Sequence, residues 1–103
     1  MMRPANALRG EAVIVIDDQT YMLRPTFAAL VAAEHEIGPL FALVERAGKG
    51  ELRLTEMAAL FWHCLEDSQD VTREEVGAAV LGLGLADATK PLRILLGQVL
   101  QGR

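Results

Sequence analysis

His63 and Cys64 stand side by side, an imidazole next to a thiol, the pairing that a cysteine nucleophile and its base would need. Adjacent residues on a helix point about 100° apart, however, and only those three or four apart share a face. Cys64 also continues an apolar row through Met57, Leu60 and Phe61, where a thiol behaves as a small hydrophobe. His63 with Glu66 or Asp67 has helical spacing for two metal ligands, and His35 between Glu34 and Glu36 adds further donors. A closed zinc site wants four ligands at recognisable spacing, and wet helix surfaces account for both histidines. Asp67, Asp70 and Glu74 or Glu75 are a weak match to a calcium loop, without its central Gly or alternating ligands; a capped turn explains the same residues. Gly82-Leu83-Gly84 follows a helix, not a strand, and offers no phosphate loop. No catalytic residue, metal site or cofactor is assigned, and the chain is read as a non-enzyme.

The elements that would carry these residues are few. With 103 residues the chain supports one core, read as a single domain over 11–103 after a flexible lead-in at 1–10. Glu11 to Ile16 and Gln19 to Arg24 are β-rich runs separated by Asp17-Asp18, which predicts an antiparallel hairpin. Whether the loop is Asp17-Asp18 or Asp18-Gln19, the strand period of two places Ile14, Ile16, Tyr21 and Leu23 on an inner face against the helices. Val13, Val15, Thr20 and Met22 fall on the outer face, which is too apolar simply to face water. Val13, Val15 and Met22 are therefore candidate protein-binding residues, and a second copy of the chain could cover or extend the hairpin.

Helices follow. Pro25 suits a first helical turn with Thr26 or Arg24 near the cap, and Phe27, Leu30, Val31 and Ile37 make a broken stripe with Glu34 at its border. Gly38-Pro39 restarts the chain into a helix with Leu40, Phe41, Leu43, Val44 and Ala47 on its apolar side, closed by Gly48-Lys49-Gly50. Thr55 with Glu56 predicts the cap of a helix carrying Met57, Leu60, Phe61, Cys64 and Leu65 in the full i, i+3, i+4, i+7, i+8 pattern. Trp62 lies across that helix from Met57 and Phe61, so it either widens the core or stands exposed as a protein-binding anchor. Thr72 and Glu75 form a capping box for Val76, Ala79, Val80 and Leu83, with close packing at Gly77, Gly82 and Gly84 or an end near Gly82. A last helix is predicted from about Thr89, with Pro91 in its first turn and Leu92, Leu95, Leu96, Val99 and Leu100 inward. The fold class is thus α+β and mostly helical: an N-terminal two-stranded antiparallel hairpin followed by four to five short helices.

Ten basic against fourteen acidic residues leave a net charge of −4, which argues against duplex nucleic acid as the main ligand. No run approaches a membrane span, and MMRPANALRG is too short and polar for a secretory signal. The single cysteine is compatible with a reducing cytoplasm.

The succession RGEAVIVIDDQTYMLRPTFAAL, a helix ending near EHEIG, then GPLFALVERAGKGEL, the capped turn DVTREEV and a Leu-rich last helix resembles the small tail proteins of gene transfer agents and related phages. The resemblance covers about residues 9 to 101 and rests on Gly10-Glu11, Asp17-Asp18, Leu23-Arg24, Thr26 to Leu30, and Val71, Thr72, Glu75 and Val76. Asp18 departs from it, standing where many relatives have a turn Gly. The resemblance implies a part in building a tail, either as a tube component or as a tail assembly chaperone that holds the tape measure protein soluble. Two short strands cannot provide the β-sandwich of a tube subunit, which favours the chaperone. The implied partners are the tape measure protein or other tail proteins, in the cytoplasm of a bacterial host or on the particle. A structural part retained in the particle and a small protein-binding adaptor unrelated to phage are the alternatives.

Overall fold

The computed structural model describes residues 11–66 and 70–101, with side chains to 98. The lead-in at 1–10, most of the acidic turn, and the side chains of Val99 and Leu100 lie outside the described residues. The elements run β1 (Ala12–Ile16), β2 (Gln19–Leu23), α1 (Phe27–Ile37), α2 (Leu40–Gly48), α3 (Leu54–Cys64), α4 (Arg73–Leu83) and α5 (Leu85–Gln101). This is the expected α+β arrangement of one antiparallel hairpin followed by five helices.

The hairpin register pairs Ile16 with Gln19, Ile14 with Tyr21 and Ala12 with Leu23. Its turn is Asp17-Asp18, both at positive φ (51° and 65°), the left-handed pair that matches the twist of the strands. Ala12, Ile14, Ile16 and Leu23 are buried in the apolar core, and Tyr21 is half-buried with its hydroxyl donating to Gln19 Oε1 at 2.9 Å. The outer face divides: Val13 and Val15 are exposed, but Met22 is only 3% exposed. Beside Met22 the chain leaving α3 runs along β2, pairing Leu65 with Leu23 and donating Glu66 N–H to the Met22 carbonyl at 2.9 Å. Arg24 N–H donates to the Cys64 carbonyl at 2.7 Å on the same side.

Of the two expected caps for α1, Arg24 and Thr26, the second is used, and the helix begins at Phe27. Thr26 is the cap, its Oγ1 accepting from Ala29 N–H at 3.1 Å, so Pro25 stays outside the helix. Gly38, at φ 96°, closes α1 by donating to the Glu34 carbonyl at 3.0 Å, and α2 departs at 75°. Glu34 reaches across this bend: its Oε2 accepts from Leu40 N–H at 3.0 Å, satisfying a first-turn donor that Pro39 has no side chain to reach. Ala33, Leu40 and Leu43 are buried, whereas Phe27 and Phe41, expected on the inward stripes, are 84% and 71% exposed.

α3 is the axis of the core, with Met57, Leu60, Phe61, Cys64 and Leu65 all buried. Its cap is Arg53, not Thr55. Arginine offers donors only, so Glu56 supplies the acceptor, its Oε1 taking Arg53 N–H at 2.9 Å. α4 keeps the expected capping box: Glu75 N–H donates to Thr72 Oγ1 at 3.1 Å and Thr72 N–H to Glu75 Oε1 at 2.8 Å. A Cβ at Gly77 or Gly82 would meet nothing within 4 Å, so these glycines mark no tight crossing. Gly84, at φ 92°, ends α4 by donating to the Val80 carbonyl and starts α5 by accepting from Ala88 N–H at 2.9 Å. α5 therefore begins at Leu85, ahead of Thr89, and Pro91 sits inside it. Ala88, Leu92, Leu95 and Leu96 are its buried side.

Candidate functional site

Consecutive positions on α3 send three side chains to different surroundings. Cys64 faces the core, where burial pushes its thiol up to about 12, leaving no thiolate for chemistry at neutral pH. His63 points away from it, to Glu36 on α1, with Nε2 donating to Oε1 at 2.8 Å. The other Glu36 oxygen accepts from Arg73 on α4. Trp62 lies between them, half-buried against the core, with Nε1–H donating to the Val71 carbonyl at 2.9 Å. The Arg73 guanidinium lies 4.6 Å from the Trp62 ring centre, and the His63 ring meets Trp62 edge-on at 5.1 Å.

One carboxylate thus ties α1, α3 and α4 together. The Arg73 guanidinium, and after it His63, hold the Glu36 carboxyl below the usual glutamate value. The group is paired on both oxygens and has no nucleophile beside it, which makes it a clamp between helices. Among the described residues no three His, Cys, Asp or Glu side chains gather as metal ligands. Glu75, one of the calcium-loop acids, is used instead in the α4 cap.

Beside the clamp lies an open groove of about 580 Å³ between α3 and α4. Ala58, Ala59, Gly77 and Ala78 form its small-residue floor, Leu54 and Leu81 its apolar rim, and Glu36 with Arg73 line it. Leu54 and Leu81 are both exposed. A second open groove, between α2 and α5, is lined by Val44, Ala47, Leu92, Leu96 and Arg93.

The four residues singled out from the sequence for protein binding are not brought together. Val13 and Val15 sit on the free side of the hairpin, Met22 is covered, and Trp62 is held by Val71 and Arg73. Neither the clamp nor the α3–α4 groove was read from the sequence. Glu36 lies 27 and 37 residues from its two partners, beyond any helical spacing. Leu81, outside the Val76-Val80 stripe, was the available signal for the groove.

A sequence family described as phage tail tube protein, GTA-gp10, matches residues 9–102. No curated protein and no solved structure matches the chain. No single helix among the described residues is long and apolar enough to cross a membrane. The match spans both strands and all five helices, and on it the chain belongs to the phage tail tube protein family, GTA-gp10.

Proposed function

We propose that the protein is a tail assembly chaperone that binds the tape measure protein, and that it acts by binding, without catalysis. The observation that carries this reading is the α3–α4 groove, with its floor of Ala58, Ala59, Gly77 and Ala78 and exposed Leu54 and Leu81 at its rim. A floor of small residues between two apolar rims suits the face of an amphipathic helix, and a tape measure protein is a long helical chain. The two-stranded hairpin supports the same reading, because a ring-forming tube subunit needs larger sheets to join its neighbours. The groove role of Leu54 and Leu81 replaces Met22 and Trp62 as the preferred contact, since both of those are engaged within the fold.

The family's description as a tail tube protein favours a second reading, a component retained in the finished particle. An adaptor without phage context finds no support in that match. Mass spectrometry of purified particles separates the two tail readings: the chaperone is absent or far below stoichiometry, and a stoichiometric copy number would establish the structural part instead.

A further inference from the structure

The two edges of the hairpin are not equivalent. A two-residue left-handed turn makes its closing pair, Ile16 and Gln19, a hydrogen-bonded pair, and such pairs alternate along an antiparallel ladder. Ile14 with Tyr21 and Ala12 with Leu23 are then hydrogen-bonded, while Val15 opposite Thr20 and Val13 opposite Met22 turn their N–H and C=O groups outward. On β2 those outward groups are engaged: Met22 C=O accepts from Glu66, and one step on Arg24 N–H donates to Cys64. On β1, among the described residues, no backbone partner meets Val13 or Val15.

The strand itself carries none of the residues that usually guard an edge. Ala12–Ile16 contains no Lys, Pro or charged residue, and the side chains of Val13 and Val15 are 43% and 56% exposed. An open recess runs along it, bordered on the far side by Gly82 and Leu83 and by Lys90 on α5. From these observations we infer that β1 pairs antiparallel with β1 of a second copy of the chain, Val13 opposite Val15 of the other copy, giving a continuous four-stranded sheet.

Self-pairing fits for three reasons. Val13 opposite Val15 satisfies all four outward groups of each strand reciprocally under a two-fold axis. The same register gathers four valines into one apolar strip on the outer face. The resulting sheet has Cys64–Glu66 along β2 at both ends, so assembly stops at the dimer and does not propagate. The inference goes beyond the tape measure reading and does not depend on it, since α3 and α4 keep their groove in either oligomeric state.

The test is sedimentation of the full chain together with amide hydrogen exchange at several protein concentrations. The expected result is a dimer in which the Val13 and Val15 amides gain protection with concentration, while those of Ile14 and Ile16 are protected throughout. Val15→Lys is expected to give a monomer with unchanged circular dichroism; should that variant not fold, the exchange pattern of the unaltered chain decides. A monomer at every concentration, or Val13 and Val15 amides that exchange at a concentration-independent rate, overturns the inference. So does a dimer that survives Val15→Lys.

Discussion

Arg46 on α2 grips both carboxylate oxygens of Glu56 on α3, at 2.8 and 2.7 Å. The same Glu56 carboxylate accepts from Arg53 N–H, so one side chain closes the α2–α3 connection and completes the first turn of α3. Glu56→Gln is expected to lower the melting temperature by a few degrees while leaving the circular dichroism spectrum intact. In that background, Arg46→Ala should add little, because the two substitutions remove the same contact; a double-mutant cycle by thermal denaturation measures the coupling.

Acid should weaken the fold through two carboxylates. Arg73 and His63 lower the Glu36 carboxyl from its ordinary value of 4.5, and Arg46 does the same for Glu56. A carboxyl lowered in the folded chain binds its proton more readily when unfolded. Its stabilisation is therefore complete above 4.5 and is lost as pH falls through the lowered folded values. Urea midpoints measured from pH 7 to pH 3 should decline on the acid side, less steeply in Glu36→Gln and Glu56→Gln. Added salt should shrink the effect, since both pairs meet solvent.

Cys64 should be silent towards thiol reagents in the native chain. Burial both excludes the reagent and pushes the thiol up to about 12, so titration at neutral pH should proceed only as the protein opens and become rapid in urea. Cys64→Ser places a hydroxyl in the same apolar site and should cost about 1–3 kcal/mol.

Asp18 occupies a left-handed position, φ 65°, that glycine adopts without a Cβ penalty. Asp18→Gly should stabilise the hairpin by about 1 kcal/mol, read as an upward shift of the urea midpoint at unchanged slope.

How far the sequence could be read depended on whether a feature was local. The α3 stripe from Met57 to Leu65 and the Thr72–Glu75 capping box are settled by neighbours within one turn, and both stand in the fold; of the two loops open to the hairpin, the register takes Asp17-Asp18. Phe27 and Phe41 show the limit: periodicity says which residues share a face, not whether another element covers it. Met22 is the converse case: it is buried although its strand position is on the outer face, and residues from after α3, some forty positions later, run beside it along β2. α5 starts early because Gly84 caps two helices at once, so that Pro91, which read as a first-turn residue, falls inside. The Glu36–His63–Arg73 clamp joins three helices and leaves no local spacing to find.

Co-expression with the tape measure protein of the same gene cluster tests the chaperone reading most directly. The chain should raise the soluble yield of the tape measure protein and co-purify with it. Leu81→Lys, an exposed change at the groove rim, should abolish both while the variant itself remains folded. A tape measure protein whose solubility is unchanged by the chain, with no co-purification, would contradict the account.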